Sequence, residues 1–216
     1  MKCVVTAGPT YESLDNVRRL TNFSTGRLGS ELGDFLSMRG HEVVLLLGEQ
    51  ATFRGERKVQ RVEPFTTTAD LGDRLKALSK QGFEAVFHAA AVSDFSFGKV
   101  WSRSAEGELT EIKSGKLSTR QGSLLAELVP TPKIIAGLRQ GFPRARLVGW
   151  KYEVDGNRAD VLSLAEKQIA ECRLDGCVAN GPAYGDGFAV VRNGSKASHV
   201  ADKAALFEAL ERLMLE

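Results

Sequence analysis

The sequence predicts an α/β protein: a Rossmann-like, largely parallel sheet with helices on both faces, interrupted by a β-excursion. Three observations predict it. β-forming runs alternate with helix-period segments along most of the chain, the order that builds parallel βαβ units. The β-runs are mostly continuous in apolar residues, as strands covered on both faces are. The first of them opens into Gly8-Pro9-Thr10, and after a polar excursion with Asp15, Arg18 and Asn22 a second small-residue turn, Ser24-Thr25-Gly26, starts a helix. Glycine-freed amides and the unpartnered N–H groups of a helix start together form an anion site.

Strands are expected over 3–6, 42–47, 59–62, 85–90, 145–150 and 176–179. Between them, 26–39 places Leu28, Leu32, Phe35 and Leu36 on one helical face, and 69–81 does the same with Leu71, Leu75 and Leu78. Thr131 followed by Pro132 reads as the cap and first turn of a helix through Leu138. Residues 158–172 and 201–215 supply two more helices. The stretch from Phe95 to Val129, rich in Gly, Ser, Lys and Arg, has no crossover helix and reads as a long functional loop or a β-excursion. From Phe188 to Val200, Arg192-Asn193-Gly194-Ser195 marks a hairpin turn.

The 216 residues suffice for one well-buried domain, so 1–216 is read as a single unit. Twenty-nine basic against twenty-seven acidic side chains give a formal charge of +2, without the basic surplus by which nucleic-acid binders displace counterions. Nucleic acid is therefore not the expected partner. Cys3, Cys172 and Cys177 are too few and too unevenly spaced for a disulfide framework or a four-ligand zinc site, and are read as buried thiols of a cytoplasmic protein. No secretory signal and no run of roughly 20 apolar residues is present, so no membrane association is expected.

An NAD(P)-binding oxidoreductase is the first enzyme class to test, and its fingerprint fails. GxGxxG should follow the first strand directly, whereas Gly8 is followed by Pro9 and the helix begins well downstream. Glu49 imitates the ribose-binding acid but reads as a solvated loop end. His88, on a strand among alanines, reads as a core histidine satisfied by a neighbour.

Six motifs occur in one order: TAGPTYESLDNVRRLTNFSTGRLG, then AAAVSDF from Ala89, KLSTRQGSL from Lys116, LVPTPKII from Leu128, GWKYE from Gly149 and VAN from Val178. Together they resemble phosphopantothenate-cysteine ligase, also called phosphopantothenoylcysteine synthetase, of coenzyme A biosynthesis, in its free-standing form. The resemblance implies a two-step ligation. A nucleoside triphosphate activates the carboxylate of 4'-phosphopantothenate as an acyl nucleotide, and L-cysteine then attacks to give the amide. CTP is the favoured nucleotide and ATP the rival; Mg2+ is implied with the triphosphate, its ligands unassigned, and no FMN is expected. A homodimer is also implied. Such chemistry needs cations and oriented amides to gather two mutually repelling anions.

Carried over residue by residue, Gly8 and the turn Ser24-Thr25-Gly26 match anion-binding loops, and Asn22 the asparagine that holds the acyl nucleotide. Ala89 and Asp94 belong to a nucleotide-contacting segment. Lys116 aligns with the catalytic lysine, with Lys113 as competitor. Pro132, Lys133 and Ile134 are expected to bring helix-start amides to the phosphates. Trp150 stands where the family has phenylalanine, and Lys167 matches a helix lysine near the triphosphate, whose second member one turn later is Glu171 here. A non-catalytic nucleotide-sensing domain is the alternative of a different class, although it would not need a group for the acyl intermediate.

Overall fold

The first strand, β1 (Lys2–Ala7), is buried along all but its first residue and takes a central place, because its KCVVTA run has no charged side chain past Lys2 to turn toward water. The computed structural model describes residues 1–118, 120 and 122–216. A short hairpin, β2 (Tyr11–Ser13) and β3 (Arg19–Thr21), precedes α1 (Arg27–Met38). Next come β4 (Glu42–Gly48), β5 (Arg61–Phe65), α2 (Thr68–Leu78), β6 (Ala85–His88), β7 (Phe95–Arg103), β8 (Leu109–Glu111) and β9 (Ser123–Pro130). The chain closes with α3 (Ile134–Gly141), β10 (Arg146–Tyr152), α4 (Arg158–Cys172), β11 (Gly176–Asn180), β12 (Phe188–Arg192), β13 (Ser198–Val200) and α5 (Lys203–Leu215).

The main sheet has the order β13-β12-β11-β10-β6-β1-β4-β5. Its strands from β11 to β5 run parallel, with Val5 of β1 between Leu45 of β4 and Phe87 of β6, and β12 and β13 add antiparallel pairs at one edge. Because strand side chains alternate, each face has its own core. Cys3, Val5, Phe87 and Val148 pack under α1 and α5, where Phe35 meets Phe207 at 5.7 Å between ring centroids. Val4, Val86, Leu147 and Cys177 pack under α2, α3 and α4. Leu32, Leu71 and Leu206 are fully buried, each stabilising its helix on the sheet by roughly 1.5–3 kcal/mol.

Several elements differ from expectation, each for a local reason. The strand expected over 59–62 is β5, shifted to 61–65, because the amides of Lys58 and Val59 donate to Asp34 Oδ1 at 2.7 and 3.1 Å instead of joining the ladder. Pro64 is accommodated because β5 is an edge strand. The strand expected over 85–90 stops at His88, since Ala90 N–H donates to the Thr6 hydroxyl at 3.1 Å. The helix expected to be capped by Thr131 starts at Ile134 with Lys133 as N-cap residue. Thr131 instead donates its hydroxyl to Ser93 O and its amide to Asp94 O, stapling the end of β9 to the loop after β6. The β2–β3 hairpin was not anticipated: it is short and exposed, without the alternation that signals a strand.

Between Phe95 and Val129 the β-excursion is realised as a three-stranded antiparallel sheet, β8-β7-β9. The hairpin β12–β13 turns at Gly194, with φ 68°, where the sequence placed it. All three cysteines are buried and free, and burial pushes the Cys3 and Cys177 thiols up to about 12. Among the described residues no helix is long and apolar enough to cross a membrane.

Candidate functional site

The chain leaves β1 for β4 on one side and leaves β6 for β10 on the other, so the order reverses between two adjacent parallel strands. Open α/β sheets hold ligands in the crevice at the carboxyl ends of such a pair. Here Ala91 knits the two loops together. Its amide donates to Gly8 O at 3.0 Å, and its carbonyl accepts from Thr10 N at 3.1 Å and from Asn22 Nδ2 at 3.1 Å. Asn22 is therefore anchored over the switch point by its side-chain amide. Beside it Phe23 is fully exposed, an aromatic surface held in solvent at the rim.

Both small-residue turns converge on the same point. Gly8 and Gly26 have φ of 81° and 76°, and a Cβ on Gly26 would lie 3.2 Å from Gly8 Cα. A Cβ on Gly8 would meet Ala51 Cβ at 2.9 Å. Glycine is thus required at both places by conformation and by close approach. Ser24 and Thr25 lead into α1, the Thr25 hydroxyl accepting from Arg27 N at 3.3 Å.

Helix starts divide into two kinds. Thr67, Asn157 and Asp202 accept hydrogen bonds from first-turn amides of α2, α4 and α5, while the N-cap residues of α1 and α3, Gly26 and Lys133, make no such side-chain bond. The two helix starts without a side-chain cap are those expected to face phosphate, and their amides suit an anion. Pro132 precedes Lys133, whose ammonium pairs with the exposed Asp94 carboxylate; Ile134 begins the helix. Ala89 donates its amide to Thr6 O at 3.2 Å, completing the turn out of β6.

Lys113 and Lys116 are exposed on the connection between β8 and β9. An open cavity of about 480 Å³ is lined by Val17, Arg18, Lys116, Leu117 and Ser118, so the lysine loop and the β2–β3 hairpin share one hollow. The Asp15 carboxylate beneath is held well below the usual range, chiefly by the hydrogen-bonded Arg18 guanidinium and also by the Leu117 amide.

Trp150 and Lys167 lie on elements packed on opposite faces of the sheet. Trp150 lies in the second half of β10 on the α1/α5 side, its indole Nε1 buried without a partner among the described residues. Lys167 lies on α4, on the opposite face of the sheet, exposed and 3.8 Å from Glu171. The structure therefore brings Gly8, Asn22 and Gly26 together at the switch point through Ala91 and the abutting turns, and joins Lys133 to Asp94 in the loop that follows β6.

Sequence reasoning assigned no role to Ala91, Asp15, Arg18 or Asn180. Ala91 acts through its backbone, which leaves no side-chain signal. The Asp15-x-x-Arg18 spacing, typical of an Asx turn, was a usable signal. Asn180, at the end of β11, has a buried Oδ1 without a partner among the described residues.

The family model described as "DNA/pantothenate metabolism flavoprotein C-terminal domain" matches residues 1–210. A "Coenzyme A biosynthesis bifunctional protein CoaBC" from Thermococcus kodakarensis is 32% identical over 182 residues, covering 83% of this chain and 41% of that protein. The protein of the same name from Bacillus subtilis is 29% identical over 191 residues, covering 88% of this chain and 43% of its own length. The chain thus spans about two fifths of the length of these curated relatives. The crystal structure of a DNA/pantothenate metabolism flavoprotein from Streptococcus pneumoniae superposes with a TM-score of 0.85 at 26% identity, covering 100% of this chain and 98% of that one.

Proposed function

Because the chain belongs to the DNA/pantothenate metabolism flavoprotein C-terminal domain family, matched over residues 1–210, we propose that it joins 4'-phosphopantothenate to L-cysteine through an acyl-nucleotide intermediate. The observation that carries this reading is Asn22, fixed on the Ala91 carbonyl at the β1/β6 switch point over the abutting Gly8 and Gly26 turns. An amide nitrogen has two hydrogens, so Asn22 can hold its carbonyl anchor with one and offer the other to a substrate oxygen.

In the first step a carboxylate oxygen of phosphopantothenate attacks the α-phosphorus of the triphosphate, and pyrophosphate leaves. The uncapped starts of α1 and α3 would receive phosphate oxygens, and Lys133 would share its charge between Asp94 and the nucleotide. Lys116, an exposed lysine in the hollow shared with the β2–β3 hairpin that leads to Asn22, would offset the charge that builds up on the departing pyrophosphate. In the second step the cysteine amine attacks the acyl carbon while Asn22 holds the mixed anhydride; the nucleoside monophosphate leaves and the amine gives up a proton.

Mg2+ would enter with the triphosphate. Among the described residues no three His, Cys, Asp or Glu side chains gather as a ligand cluster, and phosphate oxygens and water suit the ion. No step is assigned to it. The reading takes residues 1–216 as one ligase domain, CTP as the preferred nucleotide with Trp150 as its apolar wall, and a homodimer as the working form.

The test is pyrophosphate release that requires phosphopantothenate and nucleoside triphosphate together, followed by amide formation on adding L-cysteine. Nucleotide binding without turnover would favour the sensing alternative, and reduction of NAD(P) without pyrophosphate would favour the oxidoreductase. In the same assay Lys116→Gln should lower the rate by about a hundred- to a thousandfold, as other lost electrostatic contacts do, and Lys113→Gln should be milder. A preference for ATP over CTP beyond about tenfold, roughly 1.4 kcal/mol, would overturn the choice of nucleotide.

A further inference from the structure

Residues 113–116, between β8 and β9, are exposed, yet the backbone on each side of Lys116 is fixed. Before it, Gly115 O accepts from Asn16 N at 3.0 Å, and a Cβ on Gly115 would lie 2.7 Å from Asn16 Nδ2. After it, Leu117 is only 5% exposed, and both of its backbone groups are taken. Its amide donates to Asp15 Oδ2 at 3.0 Å and its carbonyl accepts from Arg18 Nη2 at 2.6 Å.

Asp15 is the hub of this arrangement. Oδ1 accepts from the amides of Val17 and Arg18 at 2.9 and 2.7 Å, and Oδ2 from Arg18 Nε and Nη2 at 3.1 and 2.5 Å as well as from Leu117. Its side chain is 2% exposed although it belongs to an exposed hairpin. Burying a carboxylate is unfavourable unless every oxygen is used, and here both are. Neither Asp15 nor Leu117 belongs to the core of either sheet face, so this cluster contributes little to holding the main sheet together. What it fixes is the place of one lysine relative to Asn22, which directly follows β3 of the same hairpin.

We infer that Asp15 is a positioning residue: with Arg18 it latches the lysine loop onto the β2–β3 hairpin, so that Lys116 and Asn22 are presented as one rigid unit. The inference deepens the proposed ligase reading and rests on it for the role of Lys116. A long lysine on an untethered loop would lose rotamer and backbone freedom on each turnover; the latch removes the backbone part in advance.

The test uses the full chain and Asp15→Asn, which keeps the size of the side chain but loses its charge. Amide exchange in peptides over 111–118 should quicken roughly tenfold, from the loss of charge-assisted hydrogen bonds, while exchange in β1 and α1 stays as in the parent protein. In the pyrophosphate assay kcat should fall by about tenfold to a hundredfold with KM for phosphopantothenate little changed. Adding Lys116→Gln to Asp15→Asn should lower the rate no further than Lys116→Gln alone, because an unlatched lysine and a missing one fail in the same way. Unchanged exchange over 111–118, or multiplicative losses in the double variant, would overturn the latch. A parent protein that releases no pyrophosphate would overturn the ligase reading instead, and the exchange arm alone then decides whether the latch exists. Global loss of protection in Asp15→Asn would make Asp15 a folding residue and likewise overturn the proposal.

Discussion

His88 shows how a single side chain is read correctly for its chemistry yet still carries a measurable consequence. Its Nδ1 lies 2.9 Å from the Thr6 hydroxyl inside the sheet, and burial lowers its pKa from the ordinary 6.5 to about 4. The unfolded chain therefore takes up a proton near pH 6.5, while the folded chain resists until about pH 4. Between those values the unfolded state binds more protons, so stability falls as pH drops through the window, is complete above it and loses nothing more below. The contribution at neutral pH is about 3 kcal/mol. Urea unfolding midpoints between pH 4 and 7 should fall with acid in the parent protein and fall less in His88→Gln, which cannot titrate. Parallel losses in the two proteins would assign the acid sensitivity to the paired carboxylates instead. At the same scale, the Asp15-x-x-Arg18 spacing is a turn signal that received no role, and the bond of Asp15 to Leu117, 102 positions away in the chain, leaves no mark in the sequence.

At the level of elements, the site depends on how closely α1 sits on β1. A Cβ on Gly29, in the first turn of α1, would lie 2.7 Å from Ala7 Cβ and 3.0 Å from Thr6 O. Gly29→Ala should therefore push the helix start off the strand and cost about 1–3 kcal/mol, lowering Tm by about 2–4 °C for each kcal/mol. Gly72, inside α2, has nothing within 4 Å of an added Cβ, and there alanine should stabilise by up to ~1 kcal/mol through helix propensity alone. Paired thermal melts of the two variants check this, and equal effects would show that α1 is free to yield. The same distinction explains which helix boundaries were legible. Asn157 and Asp202 signal their caps in the side chain, whereas the start of α3 was set by Thr131 being drawn into contacts with Ser93 and Asp94.

For the whole molecule, the sheet β8-β7-β9 bears on the association state. Phe95, Leu125, Leu128 and Val129 on β7 and β9 are exposed, and β9 is an edge strand with one side unpaired among the described residues. Exposed edges with apolar side chains are where chains meet, which supports the homodimer in the proposed function. Light scattering at micromolar concentration should give about twice the 23.4 kDa of one chain, and Leu128→Lys should shift the population toward the single mass. A single mass for the parent protein would remove the dimer from the proposal.

The amino-acid sequence by itself determined the α/β class, the glycine turns at 8 and 26, the buried cysteines and histidine, and the family resemblance. All of these follow from local pattern: apolar runs long enough for a covered strand, and small residues where the backbone must turn. It did not determine that the two glycine turns touch, that Ala91 joins both loops to Asn22, or that Asp15 holds the loop of Lys116. Nor did it show that Trp150 and Lys167 lie on opposite faces of the sheet. Those relations were decided only in the tertiary structure, because each depends on backbone groups or on strand order, and neither leaves a mark on the types of neighbouring residues.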